Sequence, residues 1–187
     1  MRRAQTGLAT IFASALLILP RIGRAVGDEY GKHDLALIQA MGKSKLTLAE
    51  GIAEAAKRGV PLSARFELDD GGTLSLLVVV AARPVRTEVE NNEFRRLAGN
   101  PTKAWQPRAS TVRDVPLVAR AAQQAVLLSI SPLSLSEIAL KAQARGTPFA
   151  IAPDVRRGHP VFVVIVAAGG KVNELAFDVF TGDPAKA

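Results

Sequence analysis

The chain has no cysteine in its 187 residues, only two histidines and one tryptophan, and no apolar run long enough to cross a bilayer. Each shortage excludes something. Without cysteine there are no disulfides, no thiolate metal sites, no cysteine nucleophile and no lipid-bearing cysteine, although the compartment stays undecided on that ground alone. The two histidines, His33 and His159, stand in no HExxH spacing, and the chain has no GxSxG elbow, so zinc-peptidase and serine-hydrolase chemistry have no foothold. The longest uncharged apolar stretch, Gly7 to Leu19, rises only about 20 Å as a helix against a hydrocarbon core of about 30 Å. What is present is ordinary for a globular protein: 48% hydrophobic and 22% charged residues.

Arg2 and Arg3 precede that apolar stretch, Pro20 closes it, and Gly23 and Ala25 supply small residues where a signal peptidase cuts. The pattern predicts a secretory signal over 1–25, with a cut after Gly27 as the neighbouring alternative, and hence a periplasmic or secreted protein. The membrane is then met only through this segment, if it stays uncleaved. The formal charge of +7 is partly carried by four arginines of the signal, so the mature chain falls to about +3. That balance argues against a nucleic-acid partner.

In the mature chain a short helix is expected at about Asp34 to Met41. Gly42-Lys43-Ser44 lacks the first glycine of a P-loop and reads as a turn. From Leu46 to Pro61 the sequence writes a punctuated helix: Thr47 and Glu50 as a capping box, Leu48, Ile52, Ala55 and Ala56 as an apolar stripe, and Gly59 as its left-handed stop. Leu62 to Leu68 alternates as a half-buried strand, Asp69 to Gly72 is a hairpin turn rather than a carboxylate pair for a cation, and Leu74 to Val80 is a central strand. Arg83 to Val115 is broken by asparagine, glycine and proline. It gathers Arg83, Arg86, Arg95, Arg96, Lys103, Arg108 and Arg113 around Trp105, with Glu88, Glu90, Glu93 and Asp114 interleaved. It reads as a solvated connector in which Thr87 to Glu90 could extend the sheet. Leu117 to about Leu128 is helical again, stopped by Pro132.

A shift of 87 residues aligns Leu46–Ala64 with Leu133–Ile151 without a gap, and the capping box recurs as Ser134 and Glu137. A shift of 86 aligns Val78–Ala82 with Val164–Ala168, and the copies end alike, in GNPTKA from Gly99 and GDPAKA from Gly182. Copy two shows the unit more clearly: a helix, a hairpin turning at Arg156 to His159, a buried strand Val161–Val166, a Gly169-Gly170 turn and a returning strand Val172–Phe180. The predicted fold is α+β, with each helix laid on a small antiparallel meander and preceded by a short helix. The domain boundaries read 26–104 for repeat one, 105–115 for a linker and 116–187 for repeat two.

The unit resembles a PepSY domain. The likeness rests on the helix opening Leu-x-Leu-x-Glu, the hairpin, and the last strand ending Asp178-Val179-Phe180-Thr181-Gly182, the family's Asp-x-x-Thr-Gly pattern. In copy one, Arg95 and Ala98 stand where that aspartate and threonine would fall before Gly99. The resemblance implies an exported, non-catalytic module that binds or inhibits a peptidase or another cell-envelope protein, with no cofactor. The residues themselves give Asp178, Thr181 and Gly182 a turn-closing role. The alternative function is a basic adaptor for an anionic envelope surface, using Arg83 to Arg113 with Arg156 and Arg157.

Overall fold

The computed structural model describes residues 29–83 and 92–185; the signal segment and Thr87 to Glu90 lie outside them. The elements run α1 (Glu29–Met41), α2 (Leu48–Ala56), β1 (Val60–Leu68), β2 (Leu74–Ala81), β3 (Phe94–Gly99), β4 (Arg108–Thr111), α3 (Val115–Ser129), α4 (Leu135–Ala142), β5 (Thr147–Arg156), β6 (His159–Ala168) and β7 (Lys171–Asp178). The protein is α+β, and its strands form one antiparallel sheet in the order β4-β3-β2-β1-β5-β6-β7.

Both copies lie in that sheet, joined where β1 pairs with β5 through Ala64–Ile151 and Arg65–Ala150. Ala64 and Ile151 are the same position under the shift of 87, so an approximate two-fold axis passes through this pair. The equivalence extends to irregularities. A register slip between Pro61 and Ser63 in β1 is matched by one between Pro148 and Ala150 in β5. Such bulges increase local twist and aim their strands.

Alternation along β2 sorts the two layers. Leu74, Leu76, Val78 and Val80 face a core shared with Leu48, Ile52 and Ala55 of α2 and Ile138, Ala139 and Ala142 of α4. Leu77, Val79 and Ala81 face the other way, onto Ala121 and Ala125 of α3. The helices α2 and α4 also touch each other, so the two copies share a helical layer as well as a sheet. Thr47 and Ser134 each take the amide of the third helical residue, while Glu50 and Glu137 reach back to the cap amides at 2.7 Å.

Several expectations change. The helix expected to Pro61 ends at Ala56, and Gly59 takes φ 154° rather than the left-handed helical value. The connector expected from Arg83 to Val115 supplies β3 and β4, and the stretch 105–115 read as a linker holds β4 and the start of α3. Short strands with exposed arginines carry little hydrophobic signal, and β4 is exposed throughout.

The matched endings also move. Ala81 faces Phe94 and Ala167 faces Val172, so β3 and β7 correspond at a shift of 78. Gly99 therefore corresponds to Phe177, and the counterpart of Asp178 is Asn100 rather than Arg95. The cause is the long connection from Ala81 to Phe94, where copy two needs only Gly169-Gly170.

Candidate functional site

The Asp178–Gly182 turn is built from local hydrogen bonds. Asp178 Oδ1 accepts from the amides of Phe180 at 2.8 Å and Thr181 at 2.9 Å, and Thr181 Oγ1 accepts from the Asp183 amide at 3.1 Å. Those amides, Thr181 first and then Phe180, hold the Asp178 carboxyl below its ordinary range, with a smaller contribution from the charge of His159. The Gly182 amide closes the loop on the Asp178 carbonyl at 2.9 Å.

Gly182 has φ 67°, and a β-carbon there would stand 2.8 Å from Leu133 Cδ1 and 2.9 Å from Lys141 Nζ. Its carbonyl accepts from Lys141 Nζ at 3.0 Å. The turn thus docks onto α4, and both the conformation and the space call for glycine. Asp178, Thr181 and Gly182 are brought together, as the sequence predicts, in a structural closure held by hydrogen bonds within the turn.

Ser131, which sequence reasoning passed over, completes this closure, and Ser44 takes the matching place in copy one. Ser131 Oγ donates to the Val179 carbonyl at 2.7 Å and accepts from the Leu133 amide at 3.0 Å. In copy one Ser44, the serine of the GKS turn, accepts from the Leu46 amide at 3.2 Å, and the Lys45 amide reaches the Pro101 carbonyl at 2.9 Å. Asn100 Oδ1 accepts from the Thr102 amide at 2.8 Å, repeating the role of Asp178. The signal that could have found them was the shift of 87 itself, which aligns Ser44 with Ser131.

His33 lies in α1 and His159 opens β6 beside the Arg157-Gly158 turn, so the two stand in different elements. Asp69 serves its hairpin, its Oδ1 accepting from the amides of Gly71 at 3.0 Å and Thr73 at 2.8 Å. Trp105 packs half-buried beside Gly99 with no partner for its Nε1. Among the basic residues, Arg95 pairs with Glu93 at 2.8 Å, and Arg156 reaches Asp154 at 3.3 Å and Glu174 at 3.6 Å. Among the described residues no group of three or more His, Asp or Glu could hold a metal ion, and no helix is long and apolar enough to cross a membrane.

The sheet's two ends differ. In copy one β3 carries β4 on its outer side, Leu97 opposite Ala109. On β7 the described part of the returning chain touches the C-terminal half: Phe177 bridges Pro184, the Ala185 amide donates to the Ala176 carbonyl, and the Asp178 amide donates to the Asp183 carbonyl. Residues 176 and 178 therefore point their backbone groups outward. Strand alternation makes 172 and 174 do the same, and there no described strand receives them.

No family model matches the chain, and no curated protein matches it. Among solved structures, a "putative lipoprotein" from Clostridium difficile 630 is similar at 15% identity, over 76% of this chain and 92% of that one, with a TM-score of 0.37.

Proposed function

We propose that the chain is an exported, non-catalytic PepSY-like interaction module, and that its partner, a peptidase or another envelope protein, adds an extended segment along the outer edge of β7. The supporting observation is the inequality of the sheet's ends. The backbone groups of Val172 and Glu174 meet no strand among the described residues, whereas the corresponding edge of β3 is covered by β4. An open edge supplies main-chain hydrogen bonds to an incoming strand, and neighbouring side chains supply selectivity. The opposite edge, β4, is only four residues long, which is how proteins usually protect an edge from pairing. Exposed Lys171, Asn173 and Glu174 would discourage indiscriminate pairing at β7 in the same way.

The basic-adaptor reading is weakened by the engagement of Arg95 and Arg156 with acidic neighbours. Capture from the exported fraction separates the readings. Wild-type chain should retain a protein partner with little dependence on salt, and Glu174→Pro, which removes one outward amide, should lose it while remaining folded. Equal capture by both forms overturns the edge assignment. Retention only on acidic lipid or polysaccharide, collapsing at moderate ionic strength, overturns the module reading itself.

A further inference from the structure

Two residues stand out in the interior because they are polar. Ser63 and Gln124 are 6% and 7% exposed, and neither side chain has a hydrogen-bond partner. Both line one cleft, between α3 and the β1–β5 seam, on the sheet face turned away from α2 and α4. Arg120 of α3, half-exposed and without an acidic partner, stands in the same lining. The remaining charged side chain there, Arg65, is committed to Glu67, its Nε donating at 2.7 Å.

The internal repeat shows that the first strand does not require this polarity. Under the shift of 87, Ser63 corresponds to Ala150, an apolar residue in the same lining. Neither polar group is fully shut off from solvent, so both can donate to a molecule entering the cleft.

The chemistry of the cleft is one-sided. A guanidinium, an amide and a hydroxyl can donate into it, no carboxylate lines it, and its floor is apolar, with Leu77, Ala152 and Val163. The enclosed room is about 20 Å³, enough for one group of about water size, so anything longer must lie along the open mouth. A flat anionic head on a short alkyl stem fits both the donors and the floor. Guanidinium groups bind carboxylates through parallel N–H donors, which matches the free face of Arg120.

We propose that this cleft is a carboxylate-binding site. Arg120 is the ion partner, Gln124 and Ser63 are the neutral donors beside it, and the seam of the two repeats is the floor under the alkyl stem. The carboxylate belongs either to a free short-chain acid or to the C-terminus of a peptide. The site is independent of the β7 edge and of any partner there.

The test uses the full chain, titrated by amide-resolved NMR with sodium propionate against sodium chloride at matched ionic strength. Parallel titrations use an alanine tripeptide with a free or an amidated C-terminus. Saturable shifts centred on α3 and the β1–β5 seam are expected with propionate or with the free-acid peptide. Binding by the peptide alone identifies the source as a peptide terminus. Arg120→Ala should weaken the interaction at least tenfold. Gln124→Leu, which keeps a side chain of similar bulk and removes the donor, should do likewise while the melting temperature reports that the chain stays folded. Absence of saturation with both probes, or equal affinity in Arg120→Ala, or equal binding of the amidated peptide where the peptide is the ligand, overturns the proposal.

Discussion

Gly146 follows α4 at φ 149° and ψ −170°, a conformation open essentially to glycine alone. A β-carbon added there would stand 2.6 Å from the Ala167 carbonyl oxygen and 3.1 Å from Ala168 Cβ, both at the end of β6. The oxygen cannot swing aside as a side chain could, because it belongs to the backbone of β6, which is paired on both sides. Forcing the dihedral costs about 1–3 kcal/mol, and displacing packed backbone adds about 1–3 kcal/mol. Gly146→Ala should therefore lose about 2–6 kcal/mol, a large share of the 5–15 kcal/mol typical of a domain. Gly158→Ala is the control, because Gly158 has φ 81° but nothing within 4 Å of the added carbon. It should show the dihedral cost alone. Urea unfolding followed by far-UV circular dichroism, with a slope of about 1–3 kcal/mol per molar, resolves the two. If Gly146→Ala falls within about 0.5 kcal/mol of Gly158→Ala, the close approach of the α4–β5 connection to β6 is wrong. Gly59, the counterpart in copy one, meets the Ala81 carbonyl oxygen in the same way and should behave as Gly146 does.

Other outcomes follow from the same geometry. Ile151→Ala, at the pair where the copies meet, should cost about 2–5 kcal/mol, since Ile151 is 2% exposed. The only tryptophan, Trp105, lies in copy one, so its fluorescence and the circular dichroism of the whole chain should report one coincident transition. Two separable transitions would refute the shared core. Thr47→Ala and Ser134→Ala should each destabilise by about 0.5–2 kcal/mol in the same denaturation assay. Glu50, Glu137 and Asp178 all have carboxyls held below their ordinary values, the first by the backbone and hydroxyl of Thr47, the second by the hydroxyl and backbone of Ser134. Their contribution is present above the unfolded-state values and disappears as pH falls through the folded ones. Melting temperature should thus fall on the acid side, below about pH 4, and Asp178→Ala should flatten that limb.

How much of this was legible follows from where hydrophobic patterning is strong. The capping boxes, the valine-rich β2 and β6 and the glycine turns each carry a local signal, and each stands where the sequence places it. The strands β3 and β4 were missed because Arg95, Arg96 and Arg108 interrupt any alternation. The shift of 87 held for helices and first strands because no connection of unequal length intervenes. It failed past Ala81, where a long connection pushed the true counterpart of Asp178 to Asn100. The pairing of β1 with β5 was not legible, because a two-pair seam between strands far apart in sequence leaves no periodic trace.

The repeat also offers a way to separate architecture from function within one chain. Because Ala64 faces its own equivalent Ile151, the copies meet as the subunits of a two-fold dimer do, each presenting the same patch to the other. Features found in both copies are then what the shared sheet requires: the capping boxes, the paired bulges, Gly59 with Gly146, Ser44 with Ser131, and Asn100 with Asp178. By this criterion the Asp178 turn, on which the PepSY resemblance rests, belongs with the architecture, since asparagine performs the same closure in copy one. Features confined to one copy have no such explanation. They are the half of β7 that no described strand covers, where copy one has β4, and Ser63, where the other copy has alanine. Selection for a partner strand and for a small anionic ligand would act on those departures from symmetry, and substitutions there should change binding more than folding.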